Sequence, residues 1–314
     1  MVESYATHLQ LRRSDLPYPI TMNAPVKESE LSHQAKTHWH ASLQLGFADD
    51  AGTTRLTERQ HSGPLRVQKP LYPEGNRICH AIVIHPPGGV VGGDQLQITA
   101  RVGENGHALI TTPGAAKWYR SNGHISGQTV DLHVDNNAHL EWLPQETIFF
   151  NDATVRLHQT VHLSGNASFI AADILCFGRT ASNEIYTSGE ITQYSRIFRD
   201  GKIIWHEQGS VNGASSAMHS PLGLNGKSVC AMVLGCGELL NTDQLNQLRE
   251  QSSGLIRSRE PDAVCGVTQM KSVIVARYLG NSSELARQWM QLVWQHVRPV
   301  INHNAAAIPR IWNT

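Results

Sequence analysis

The sequence predicts a mostly β body of antiparallel strands with two α-helices late in the chain, and three observations carry that reading. Apolar and polar residues alternate at period two in many short runs between Trp39 and Glu207. Turn signals built from Asn, Asp and Gly separate those runs at short, regular intervals. Helical periodicity enters only from Thr242 onward.

The elements follow in order. Gln95–Val102 alternates as a strand, meets Asn105-Gly106, and returns through Ala108–Thr111, which reads as a hairpin. Val130, Leu132 and Val134 share one face, Asp135-Asn136-Asn137 turns the chain, and Leu140 and Trp142 continue. Val155, Leu157, Val161 and Leu163 share a parity, then Ser164-Gly165-Asn166 leads into the apolar run Phe169–Phe177. Asp200-Gly201 is the strongest hairpin signal, joining Gln193–Phe198 to Lys202–Glu207. Thr242–Arg259 reads as a helix with Leu245 and Leu248 on one face. Ser282–Val297 reads as a second, capped by Asn281 with Glu284 three residues on, striped with Leu285, Trp289, Leu292, Val293 and His296, and ended by Pro299. Residues 1–36 are polar and without sustained periodicity, a variable extension ahead of a β domain spanning 37–314. No internal repeat is evident.

Composition narrows the function classes. The chain of 314 residues has 26 basic and 26 acidic residues, which removes the electrostatic case for nucleic acid or an anionic membrane. No apolar run is long enough for a membrane helix and the N-terminus lacks a signal-peptide core, so a cytoplasmic protein is expected. Five scattered cysteines without a C-x-x-C pair fit reduced thiols. There is no G-x-S-x-G elbow and no H-E-x-x-H helix, which removes the nucleophilic-hydrolase and metalloprotease readings and leaves open a carboxylate pair converging from two strands.

The most shaped segment is His85-Pro86-Pro87-Gly88-Gly89-Val90-Val91-Gly92-Gly93-Asp94. Pro86 and Pro87 fix φ, while Gly88, Gly89, Gly92 and Gly93 supply conformations and approaches other residues resist. It is not a phosphate loop, because Asp94 stands where a cation is needed and a strand follows where a helix is needed. Asp173 shares a strand face with Phe169, Ala171, Leu175 and Phe177, so its carboxylate needs either a partner such as Arg179 or a water-lined cavity. Glu207 shares a face with Ile203 and Trp205 at a strand end. Borderline metal ligands are available at His85, at Cys79-His80, at His38 and His40, and at His158 and His162.

Several blocks carry a resemblance. Gly63–Glu74, Cys79-His80, the His85–Asp94 loop, Ile110–Ser121, Glu141–Glu146, Gly178-Arg179, Val297-Arg298-Pro299 and Pro309–Thr314 resemble the UreD (UreH) family of urease accessory proteins, in order from about residue 37 to the end. The resemblance implies a single elongated, solenoid-like stack of strands with two helices. It implies a non-enzymatic maturation factor that binds apo-urease with UreF and the GTPase UreG, and no tightly bound cofactor beyond transient Ni2+. It also implies a tunnel, along which Asp94, Asp173 and Glu207 are the acids to place. Two positions depart from the pattern: Asn183-Glu184 replaces a Gly-Glu pair, and Ala116 stands where relatives sometimes carry a hydroxyl.

Overall fold

The computed structural model describes residues 38–313. The expected extension, residues 1–36, lies outside the described residues. In chain order the strands are β1 (His40–Asp50), β2 (Thr53–Ser62), β3 (Arg66–Val67), β4 (Ile78–Ile84), β5 (Gln95–Val102), β6 (His107–Thr111), β7 (Ala116–Trp118), β8 (Ser126–Val134), β9 (His139–Leu143), β10 (Thr147–Phe149), β11 (Thr154–Leu163), β12 (Ser168–Phe177), β13 (Glu190–Arg199) and β14 (Lys202–Asn212). Then come β15 (Val229–Cys236), α1 (Thr242–Arg259), β16 (Val264–Met270), β17 (Val273–Gly280) and α2 (Ser283–Ile301).

They form two sheets. Sheet 1 runs β14-β13-β11-β8-β5-β1-β2 and sheet 2 runs β16-β17-β15-β12-β9-β6-β4-β3. Each coil of the chain gives one strand to sheet 1, turns a corner, and gives the next to sheet 2, so β5, β8 and β11 stack in one sheet and β6, β9 and β12 in the other. The mostly β, solenoid-like body with two late helices is therefore present, but its centre is parallel where the sequence suggested antiparallel. The pairs β1–β5, β5–β8, β8–β11 and β11–β13 are parallel, as are β4–β6, β6–β9 and β9–β12. Antiparallel pairing is kept for β1–β2, β3–β4, β13–β14 and the β12–β15–β17–β16 run.

The turn geometry explains the difference. A two-residue hairpin of the I′ type needs φ > 0 at both central residues. Asp200 (φ 49°) and Gly201 (φ 74°) meet that condition, and Arg199 pairs with Lys202 across the turn. At Asn105 and Asn137 φ is 61°, but Gly106 and Ala138 stay negative, so the chain bends into the facing sheet and no hairpin closes. These corners also hold the repeat that the sequence reading missed. Asn137 donates from Nδ2 to Asn105 Oδ1 (3.3 Å), and Asn166 does the same to Asn137 Oδ1 (2.6 Å), from one coil to the next. The coils differ in length by several residues, which hides the period in the sequence.

Strand alternation sorts the side chains into two cores. Leu96, Ile98, Ala100, Val130, Leu132 and Val161 of sheet 1 meet Ala108, Ile110, Leu140, Trp142, Phe169 and Leu175 of sheet 2. The opposite face of sheet 2, with Leu109, Leu143, Ile170 and Ile174, packs under Trp289, Val293, Trp294 and Val297 of α2 and Leu248 and Ile256 of α1. Strands buried on both faces read as continuous apolar runs, as Phe169–Phe177 does. The N-cap of α2 is Ser282, whose side chain accepts from Leu285 N, while Asn281 instead accepts from Ser228 N. Pro299 lies within α2, which runs on to Ile301. Asn183, at φ 56°, takes a left-handed turn that Asn tolerates almost as glycine does.

Candidate functional site: an interior cavity with two carboxylates

Between the sheets lies a cavity of about 250 Å³, walled by Gln128, Val130, Leu157, Gln159 and Gln193 of sheet 1, by Trp142, Asp173 and Leu175 of sheet 2, and by the His85–Val90 and Thr112–Trp118 segments. A second, of about 330 Å³, is lined by Glu207, Leu224, Cys230, Met232, Val264, Arg277 and Tyr278. The two share Asp173, Leu175 and Gln193, so they adjoin around these three residues.

Asp173 projects from β12 on the face of Phe169, Ala171, Leu175 and Phe177, all of which join the inter-sheet core. Of the two partners open to it in sequence, the cavity is the one realised. Arg179 pairs with Glu184 and lies over the Phe150 ring. Asp173 makes no ion pair among the described residues, and Gln193 Nε2 approaches its Oδ2 at 3.5 Å. Burial, reinforced by the charge of Glu207, pushes the Asp173 carboxyl up to about 6.

Glu207 arrives from β14. A bulge in the β13–β14 pair pairs Phe198 with Ile203 and Ile197 with Trp205, skipping Ile204. Glu207 consequently shares the inward face with Trp205 but not with Ile203, which is 52% exposed. Nor is Glu207 at a strand end, since β14 continues to Asn212. Arg277 Nη2 donates to Glu207 Oε1 at 2.6 Å, and Oε2 has no partner.

Asp94 does not join this pair. Its Oδ1 accepts from Trp39 N (2.9 Å) and its Oδ2 from Val91 N (3.0 Å), so both oxygens close the Pro-Gly loop onto backbone. Gly93 turns that loop at φ 98°, where a Cβ would run into the His38 ring. Gly88 and Gly89 reach the cavity wall, and a Cβ on Gly89 would meet the Tyr119 ring. His85 lines the same cavity with its Nε2 unpartnered. Burial holds His85 below the ordinary histidine range, against the pull of Asp94, so its lone pair is available near neutrality. Ala116 also lines the cavity and makes that wall more apolar than a hydroxyl would.

Cys79 and His80 do not converge. They are neighbours on β4 and point to opposite faces: Cys79 into the inter-sheet core, where burial raises its thiol, and His80 outward beneath α2. There His80 Nε2 lies 2.8 Å from Glu74 Oε1 and opens a buried network absent from the sequence reading. Arg298 donates to both Glu74 and Glu141, Trp294 Nε1 donates to Glu141 Oε2 (2.7 Å), and His107 Nε2 lies 2.8 Å from Glu141 Oε1. Its sequence signal was a charged residue on each apolar surface: Arg298 on the stripe of α2, and Glu141 between Leu140 and Trp142.

Comparison with known proteins fits this architecture. Residues 40–313 match the family described as UreD urease accessory protein. The chain belongs to the UreD family. It is 58% identical over 274 residues to the urease accessory protein UreD of Janthinobacterium sp. (strain Marseille), covering 87% of this chain and 91% of that one. Similar proteins of the same name occur in Nitrosospira multiformis (48% over 274 residues, 87% and 97% covered) and Dechloromonas aromatica (44% over 295 residues, 94% and 100% covered). Among the described residues no helix is long and apolar enough to cross a membrane.

Proposed function

We propose that this UreD-family chain is a non-enzymatic factor of urease maturation, a cytoplasmic scaffold that binds apo-urease together with UreF and the GTPase UreG and passes Ni2+ through its interior. The carrying observation is the pair of adjoining cavities that meet at Asp173, with Glu207 in the second. A conduit must hold a cation well enough to admit it and weakly enough to release it. Carboxylate and amide oxygens from Asp173, Glu207, Gln193 and Gln159 suit a hydrated divalent ion in transit, whereas a closed thiolate cage would retain it. The unpartnered Nε2 of His85 adds one borderline donor at the far wall. Exposed Val264 and Met270 on the edge strand β16 offer apolar area to a partner beside the second cavity.

The test is urease activation in cells that co-express apo-urease, UreF, UreG and this chain with nickel supplied. Wild type restores activity and omission of the chain abolishes it. The Asp173→Ala/Glu207→Ala variant still captures its partners yet fails to activate. Normal activation by that variant would remove the conduit and leave only a scaffold, and inactivity of wild type with matched partners would overturn the maturation role itself.

A further inference from the structure

The outer face of sheet 1 carries a second constellation, on the opposite side of the strands that wall the cavity. Along β8, Val130 and Leu132 point inward and are buried, which turns Asp131 and His133 outward. Parallel register then sets His133 of β8 beside His162 of β11, their rings stacked with centroids 4.8 Å apart and planes 11° apart. Asp131 Oδ1 lies 3.3 Å from His133 Nε2 and 3.8 Å from His162 Nε2. That oxygen is sealed from solvent and has no hydrogen-bond partner. The three ligand atoms all fall within 4.8 Å of one another.

We propose that Asp131, His133 and His162 form an exchangeable binding site for one borderline divalent transition-metal ion of the Zn2+ and Co2+ class, with water completing its coordination. Metal–ligand bonds of about 2.0–2.1 Å in a tetrahedral site place neighbouring ligand atoms about 3.3 Å apart. The carboxylate already stands near that separation from both imidazoles, so a modest turn of one ring closes the triangle. Two imidazoles and one carboxylate favour such ions over Ca2+ or Mg2+, which take oxygen ligands. Of the neighbouring cations, Arg101 pairs with Asp135, while Arg196 lies over the Tyr194 and Phe198 rings with its Nε unpartnered. Phe198 stacks on the far side of His162 at 5.3 Å and braces that ring. Because the two histidine side chains are 41% and 45% exposed, the ion enters and leaves directly from solvent. The site is independent of the interior conduit and survives the failure of that reading.

The experiment titrates Co2+ into the full-length chain carrying a histidine-free solubility tag, follows the d–d absorption, and then displaces Co2+ with Zn2+. Wild type shows one saturable ion that Zn2+ displaces stoichiometrically. His133→Ala and His162→Ala each weaken it on the order of 100-fold, and Asp131→Asn weakens it on the order of 10-fold. Phe198→Leu, which removes the brace and no ligand, retains the site. All four side chains lie outside the fully buried core, and circular dichroism verifies that each variant is folded. Equal Co2+ affinity and stoichiometry in wild type and the His133→Ala/His162→Ala double variant would overturn the proposal and leave the two rings as a stacking ladder only.

Discussion

Arg298 donates from Nε to both carboxylate oxygens of Glu141 at 3.0 Å, and neither side chain retains any exposed surface. The pair ties α2 to the middle of sheet 2, and the other guanidinium nitrogens reach Glu74 in the loop ahead of β4 and the Ala305 carbonyl beyond the helix. One guanidinium thus ties α2 and the segment just beyond it to two segments remote in sequence.

Removing that cation leaves two buried carboxylates uncompensated. Arg298→Met therefore destabilises the fold by about 3–5 kcal/mol. Arg298→Lys recovers little of it, because an ammonium cannot serve two carboxylates with a planar fork. Urea denaturation of the full chain measures both.

Stability falls with acid in two successive windows. Burial, with His107 next, pushes His139 down to about 4, so between its ordinary value of 6.5 and about 4 the unfolded chain takes up a proton the folded one refuses. Glu141 is held at about 2: burial opposes ionisation, but His107 and Arg298 outweigh it. Its contribution is complete above the ordinary value of 4.5 and is lost as pH falls from there to about 2. Thermal melts across this range show His139→Gln flattening only the upper window.

Asp173 has the opposite sign. With its folded value raised from 3.8 to about 6, the folded state binds the extra proton, and stability declines as pH rises through that interval. Asp173→Asn, which cannot ionise, is more stable than wild type at pH 7 by about 1–3 kcal/mol. The gain disappears below about pH 4. A melting temperature unchanged at pH 7 would contradict an Asp173 carboxyl raised by burial and by the charge of Glu207.

At the coil corners, Asn137 receives from Asn166 Nδ2 and donates from its own Nδ2 to Asn105. Asn137→Ala breaks both links and places a β-carbon residue at φ 61°, a conformation Asn tolerates better than Ala. The expected loss is about 1–3 kcal/mol, and Asn137→Gly, which keeps the conformation but not the links, loses less. Hydrogen exchange at Asn137 and Ala138 reports the local opening.

Much was fixed locally and so was legible in the sequence: the strands from their alternation, the Asp200-Gly201 hairpin from its dipeptide, both late helices from their stripes, and the family from its ordered motifs. The inward face of Asp173 was readable for the same reason, since period two settles which neighbours it joins. Tertiary structure decided the rest. Whether Asn105-Gly106 closes a hairpin or turns into the facing sheet depends on φ at one residue, and only the stacked coils select the second. The bulge opposite Ile197 separated Glu207 from Ile203, and the backbone amides of Trp39 and Val91 drew Asp94 away from the cavity. Arg298 meets Glu141 through the packing of α2 on sheet 2, and His133 meets His162 through strand register; both join segments remote in sequence, which no local pattern encodes.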